Sequence, residues 1–266
     1  MFRSISDISS EADSESRWII EELTGKKFEY LIVENPLVEL TDQQVNEIIT
    51  KRVKERIPLQ YIFHKAFFYG FELYVDDRVL IPRGDTEVIV EYTIKNFQAR
   101  HLRWLDLATG SGAIAIALDK FLGGDGFASD HSLDALIVAR QNALRHHCNF
   151  VLLASDLLFS FKENTFDLIV SNPPYVGEKE KNTLPPEVCY EPQRALFGGH
   201  EGFEMTEKIL SEALRVLVPG GSIIIETSPG SFEKLRKRGI MELFHFQREL
   251  FDLSGELRGL HLIKRN

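Results

Sequence analysis

Four consecutive residues, Asn172-Pro173-Pro174-Tyr175, carry chemistry that the rest of the chain would have to serve. They follow directly on a run of strand-type residues, Leu168-Ile169-Val170, that closes at Ser171. Neither proline has the N–H that a central strand ladder needs, so the chain leaves its strand here and enters a stiff loop. The loop offers the amide of Asn172, backbone carbonyls at two residues with no competing N–H, and the aromatic face of Tyr175. Such a set can grip a planar group that carries an NH2. Taken alone, the tetrapeptide reads equally well as a proline-stiffened connection.

A second constellation lies upstream. Asp106-x-Ala108-x-Gly110-x-Gly112, with Thr109 and Ser111 between, falls between an apolar strand pattern and a helical one. Glycines at such a turn let the backbone approach a ligand, and the helix N-terminus adds donors. Asp130 follows Gly110 by 20 residues at the end of the next strand pattern, the spacing at which an acid takes ribose hydroxyls. The dinucleotide fingerprint is not met, because Ala115 stands at its third glycine. A phosphate-free nucleoside such as S-adenosylmethionine fits the pattern better. Ser155-Asp156-Leu157, after a further strand, reads either as an adenine contact or as a helix cap.

The elements that must position these groups alternate from residue 103 onward. Strand patterns at Trp104–Ala108, Phe127–Asp130, Phe150–Ala154, Phe166–Ser171 and Ser222–Glu226 are interleaved with helical patterns at Ala113–Leu118, Leu133–His147 and Leu210–Val218. Pro219-Gly220-Gly221 reads as a turn, and Met241 to Ile263 offers two more strands. This alternation predicts an α/β fold with a mostly parallel, doubly wound sheet. Residues 83–266 are assigned to it. Residues 66–82 are expected to form a β-hairpin linker with its turn at Asp76-Asp77. The octapeptide Leu80 to Glu87 then leads into a helix that Asp85 or Thr86 is placed to cap, and its Arg83 reads as part of a linker or of a site lid. Residues 1–65 read as a small helical domain. Trp18, Ile19 and Leu23 form a stripe ending at Gly25, Thr41 with Gln44 resembles a capping box, and Val45, Ile48, Ile49 and Val53 repeat at helical spacing.

Composition narrows the function classes. Among 266 residues the net charge is −9 and there is no extended basic run, which argues against stable binding of long nucleic acid. Cys148 and Cys189 are too few for a disulfide scaffold or a zinc ribbon, so no metal is expected. Met1 to Ser16 match no signal peptide, and no apolar run reaches membrane-spanning length, which predicts a cytoplasmic protein without membrane association.

With these pieces together, the chain resembles the class I S-adenosylmethionine-dependent methyltransferases, and within them the PrmC (HemK) family. The resemblance rests on Pro58-Leu59-Gln60-Tyr61-Ile62, Val79-Leu80-Ile81-Pro82-Arg83-x-Asp85-Thr86-Glu87, Leu105 to Ala115, Ser171 to Val176, Glu191-Pro192 with Ala195-Leu196-x-Gly198-Gly199, and Pro219-Gly220-Gly221. It implies a Rossmann-like, mostly parallel seven-stranded sheet. It also implies methylation of the side-chain nitrogen (N5) of the glutamine in the Gly-Gly-Gln motif of peptide-chain release factors, with S-adenosylhomocysteine as product. By the same resemblance Ala108, Thr109, Gly110, Ser111, Gly112, Asp130, Asp156, Leu157 and Asn172 line the cofactor site. Asn172, Pro173, Pro174 and Tyr175 hold the glutamine, and Arg83 and Glu87 fall on the substrate side. Apart from the resemblance, the helical segment reads either as a plain small bundle or as a module that docks the release factor, and the protein is expected to be a monomer. Two departures stand out: Ala108 replaces the family's first glycine, and Gly84 replaces a proline of the octapeptide. The alternative is methylation of an exocyclic amine of adenine or guanine in DNA or RNA, since the Asn-Pro-Pro-Tyr loop also suits a base NH2.

Overall fold

The structure, a computed structural model, describes residues 14–34, 42–98 and 100–265. The chain divides into two compact units, residues 1–64 and 65–266. The first unit is helical where described. α1 (Ser14–Thr24) ends where Gly25 turns to φ 66°, a left-handed stop that costs glycine little. α2 (Phe28–Glu34) starts with the Phe28 N–H donating to Glu21 Oε1 at 2.8 Å. α3 (Asp42–Ile49) runs on into a π-helical turn, Thr50–Lys54, and α4 (Leu59–Phe63) follows. Trp18 packs on Phe63 with ring centroids 5.5 Å apart, while Ile20, beside the expected stripe, is the buried residue of α1. The capping box at Thr41 lies outside the described residues.

The second unit opens with a hairpin, β1 (Ala66–Phe68) and β2 (Phe71–Leu73). Its turn is Tyr69-Gly70, not Asp76-Asp77. Both turn residues take positive φ, 49° and 82°, the twist that a two-residue hairpin loop requires. Asp76 does make a turn, accepting the Val79 N–H at 3.1 Å, but after the hairpin has ended. A 3-10 turn (Gly84–Thr86) then leads into α5 (Glu87–Phe97). No side chain caps that helix, so the cap expected at Asp85 or Thr86 is absent.

From here strand and helix alternate: β3 (Arg103–Leu107), α6 (Ala113–Phe121), β4 (Asp125–Asp130), α7 (Leu133–Arg145), β5 (Val151–Ala154) and β6 (Phe166–Ser171). Short α8 (Gln193–Leu196), α9 (Glu204–Val216), β7 (Leu217–Glu226), α10 (Pro229–Arg238), β8 (Phe244–Phe251) and β9 (Leu257–Lys264) complete the unit. The sheet order is β5-β4-β3-β6-β7-β9-β8, with parallel pairing from β5 through β7 and antiparallel pairing of β9 with both neighbours. The mostly parallel seven-stranded sheet is therefore present. Pro219-Gly220-Gly221 is a bulge inside β7 rather than a turn before it. Leu217 pairs with Phe166 and Ser222 with Leu168, so the chain loops out between them.

Side-chain alternation along the strands builds a core on each face. Leu105, Ile169, Ile223 and Ile225 meet Ile209, Leu210 and Ala213 of α9 and Leu235 of α10. Trp104, Leu168, Val170 and Ile224 meet Ile89 and Val90 of α5 and the Ala- and Ile-rich face of α6. Leaving β3 the chain winds one way to β4 and β5, then returns to β6 and β7 on the other side. The carboxyl ends of β3 and β6 flank this switch point, where an open α/β sheet leaves a crevice for a ligand. Among the described residues no helix is long and apolar enough to cross a membrane.

Candidate active site

The loop after β3 is held from beneath by Asp106. This carboxylate is fully buried under the first turn of α6, where Oδ2 accepts from Thr109 Oγ1 at 2.5 Å and from the Ala115 N–H at 3.0 Å. Oδ1 has no hydrogen-bond partner. Burial, reinforced by the charge of Asp130, outweighs those bonds and pushes its pKa up to about 7. Ala108, next along, sits in the left-handed region at φ 60°, which costs an L-residue about 1 kcal/mol or more. Gly110 follows at φ 54°.

Asp130, at the end of β4, ties this loop to the next helix. Oδ2 accepts from the Gly110 N–H at 3.0 Å and Oδ1 from the Ser132 N–H at 2.8 Å. Burial raises its pKa. Asn142 of α7, itself fully buried, adds a second tie through Nδ2, which donates to the carbonyls of Ser111 and Tyr74, each at 2.9 Å.

Beside this loop lies a cavity of about 290 Å³, a volume at the small end of the range for bound organic molecules. Ala108, Gly110, Asp130, Asp156, Leu157, Asn172, Pro173 and Pro174 all line it. A second space of about 50 Å³ is lined by Phe68, Leu80, Pro82, Thr86, Thr109 and Ser111. Leu80, Ala108, Gly110 and Asn172 border both, so Asn172 stands on the partition between them. Ser155 does not cap a helix. Its Oγ donates to the Leu157 carbonyl at 2.8 Å and closes a turn in which Leu157 takes φ 45°.

Four of the expected residues line neither cavity. Gly112 lines neither cavity; at φ 84° it lets α6 approach α7, and a Cβ there would sit 3.3 Å from Ala139 Cβ. Glu87 accepts the Tyr69 N–H at 2.7 Å and so braces the hairpin turn rather than facing the cavities. Arg83 pairs with the buried Glu191, whose other oxygen accepts the Ile81 N–H at 3.2 Å. That pair fastens the octapeptide to the Glu-Pro segment. Tyr175 turns its hydroxyl to Glu226 Oε1 at 3.2 Å, and burial together with that carboxylate raises the tyrosine pKa.

The Asn-Pro-Pro-Tyr loop is fixed by two sets of contacts. Behind it, the Val176 N–H donates to the Leu196 carbonyl at 2.9 Å and the Gly198 N–H to the Val176 carbonyl at 3.0 Å. The approach is so close that a Cβ on Gly198 would lie 2.2 Å from the Pro174 carbonyl oxygen. Beside it, Asn172 Nδ2 donates to Thr86 Oγ1 at 2.9 Å, which leaves Oδ1 free to accept. Reading by motif missed Thr86 in this role, and it missed Glu226. The available signal for Glu226 was an acid closing a β-branched strand at the carboxyl edge of the sheet.

The donor set fits a nucleoside without phosphate. The Gly110 N–H, which a phosphate-binding loop would offer to its ligand, is already taken by Asp130. The same carboxylate lines the cavity with lone pairs left over for hydroxyl donors, and the remaining walls are largely apolar.

Fold and site together define a Rossmann-like methyltransferase, with a crevice at the carboxyl ends of the central strands and Asn172 on its wall. The family model "Methyltransferase small domain" matches residues 86–196. A methyltransferase from Pyrococcus furiosus superposes with a TM-score of 0.57 at 21% identity, over 85% of this chain and all of that one. A 16S rRNA N2 G1207 methyltransferase from T. thermophilus, solved with AdoMet and guanosine, gives 0.54 at 18% identity over 76% of this chain and 50% of that one. Both likenesses concern the fold. The release factor glutamine methyltransferase of Thermodesulfovibrio yellowstonii is 36% identical over 85% of this chain and 83% of its own length. The chain belongs to the release factor glutamine methyltransferase family.

Proposed function

We propose that this protein transfers the methyl group of S-adenosylmethionine to the side-chain N5 of the glutamine in the Gly-Gly-Gln motif of peptide-chain release factors. The observation that carries the reading is the orientation of Asn172 on the partition between the two cavities. With Nδ2 donating to Thr86 Oγ1, the Oδ1 of a residue that borders both cavities is left to accept, as a planar NH2 requires.

An amide nitrogen is a poor nucleophile because its lone pair is delocalised into the carbonyl. Asn172 Oδ1 and the Pro173 carbonyl accept its two N–H bonds, fix the direction of the nitrogen and favour its pyramidalisation. Tyr175, held at its hydroxyl by Glu226, packs on the amide plane. The cofactor, held by Asp130 at its ribose and by Asp156 and Leu157 at its adenine, supplies an electrophilic methyl on a sulfonium. The chain contributes positioning, for which effective molarities are worth about 7–11 kcal/mol. No dedicated base is required, since the methylated amide nitrogen is acidic enough to lose its proton to a carbonyl or to water. The helical unit of residues 1–64 is the docking module for the release factor, and the protein acts as a cytoplasmic monomer.

The test is transfer of radiolabelled methyl to a purified release factor and to its Gly-Gly-Gln→Gly-Gly-Ala variant, beside DNA and RNA. Label confined to the wild-type factor is expected. Label in nucleic acid would replace this reading with base methylation.

A further inference from the structure

Glu226 is a buried acid that the transfer chemistry does not itself require. It is 1% exposed at the carboxyl end of β7. Ser171 and Ile225 are paired across β6 and β7, so Asn172, the first residue after β6, follows beside Glu226, the last residue of β7. Glu226 Oε1 accepts from the Tyr175 hydroxyl, while the buried Oε2 has no hydrogen-bond partner. The Thr86 hydroxyl is among the groups that favour the charged carboxylate. Thr86 Oγ1 already accepts Asn172 Nδ2, so its proton is what it has left to turn toward Glu226.

We propose that Glu226 is a positioning residue for methyl transfer. Ionised, it draws the Thr86 proton, which leaves Thr86 Oγ1 as an obligatory acceptor and locks the Asn172 amide with Oδ1 toward the acceptor nitrogen. Through its other oxygen it holds Tyr175. The inference rests on the glutamine reading above and names the groups that make the site competent.

Protonation reverses the relay. A neutral Glu226 can donate to Thr86 Oγ1, which releases the Thr86 proton to turn to Asn172 and lets the amide present Oδ1 to threonine and Nδ2 to the substrate. A donor would meet a donor. Burial pushes the pKa of Glu226 up to about 7, against the Thr86 and Tyr175 hydroxyls that lower it. The charged groups facing it are Asp85, which raises the pKa, and Arg258 of β9, which lowers it. Those two pair with each other at 3.2 Å. The wild-type rate is therefore expected to fall as pH drops through about 7.

The experiment combines kinetics on the release factor with side-chain amide NMR of the free protein, using Glu226→Gln, Thr86→Val and Thr86→Ser. Glu226→Gln and Thr86→Val are expected to lower kcat by about tenfold or more and to flatten the acid limb of the pH profile, with the S-adenosylmethionine Kd within about threefold of wild type. Thr86→Ser, which keeps the hydroxyl, should recover most of the rate. In the free wild-type protein the Asn172 side-chain NH2 signals should shift with the same midpoint, and in Glu226→Gln they should not. Wild-type rates and profiles in both variants would overturn the proposal, as would Asn172 signals that ignore pH. An inactive wild type would count against the glutamine reading alone, because the NMR titration needs no substrate.

Discussion

Replacing Asn172 by alanine removes one acceptor for the substrate N–H while leaving Asp130, Leu157 and the glycine loop in place. We expect kcat to fall at least about 100-fold with cofactor Kd within about threefold, measured by single-turnover transfer and calorimetry; equal losses in both would contradict the assignment. Asp130→Asn separates the other half of the site. It converts one of two acceptor oxygens into a donor, which then opposes either the Gly110 or the Ser132 N–H and removes an acceptor from the cavity wall. Its cofactor Kd should rise by about tenfold or more, with the kcat at saturation much less affected. At this scale the motif residues were legible in the sequence because a strand end exposes whatever follows it. Thr86 was not. Its partner Asn172 lies 86 positions away, and no spacing rule connects a hydroxyl at a helix start with an amide in a distant loop. Gly112 and Glu87 failed for a related reason: their types suit a ligand site, but one faces a neighbouring helix and the other a hairpin turn.

Among the elements, the segment around Gly198 sets the position of the Asn-Pro-Pro-Tyr loop from behind. The loop of Asn172 to Tyr175 lies against it with no room for a side chain, so Gly198→Ala must push the Pro174 carbonyl outward. We predict a loss of at least about tenfold in kcat, visible even where thermal denaturation shows a folded protein, since displacements of about 1 Å can cost about 100-fold. A wild-type rate in Gly198→Ala would mean that the loop position is not critical. The pairing of Val176 with Leu196 and Gly198 also explains why the Ala195-Leu196-x-Gly198-Gly199 stretch accompanies the loop in the sequence. Strand and helix order could be read from periodicity, since each element buries one continuous face. The hairpin turn could not. Tyr69 takes a positive φ that its residue type disfavours, while Asp76-Asp77 looks like a turn and forms a different one.

Across the whole molecule, buried carboxyls, Asp106 and Glu226 among them, tie stability to pH in the direction opposite to that of paired surface acids. Asp106 titrates near 7 in the folded protein and near 3.8 when free. Between those values the native state binds the proton that the unfolded chain has lost. Its contribution is therefore full below about pH 4 and is lost as pH rises through about 7, amounting to at most about 4 kcal/mol. Glu226 acts with the same sign. Urea denaturation at pH 5 and pH 8 should show that Asp106→Asn loses less stability over this interval than the wild type. An equal loss in both proteins would rule out Asp106 as the source.

The antiparallel strand β9 lies between β7 and β8 in the sheet yet comes after both in the chain. Until it arrives, β7 has an open edge, and Glu226, paired in register with Gly259, faces water instead of a dry interior. A chain still being synthesised could assemble the nucleoside crevice from β3, β4 and β6 and hold it ready. It would lack the buried acid behind the Asn-Pro-Pro-Tyr loop until Leu257 to Lys264 had docked. The order of residues along the chain thus sets an order of competence, with ligand capture possible first and the poised acceptor side completed by the last strand to fold.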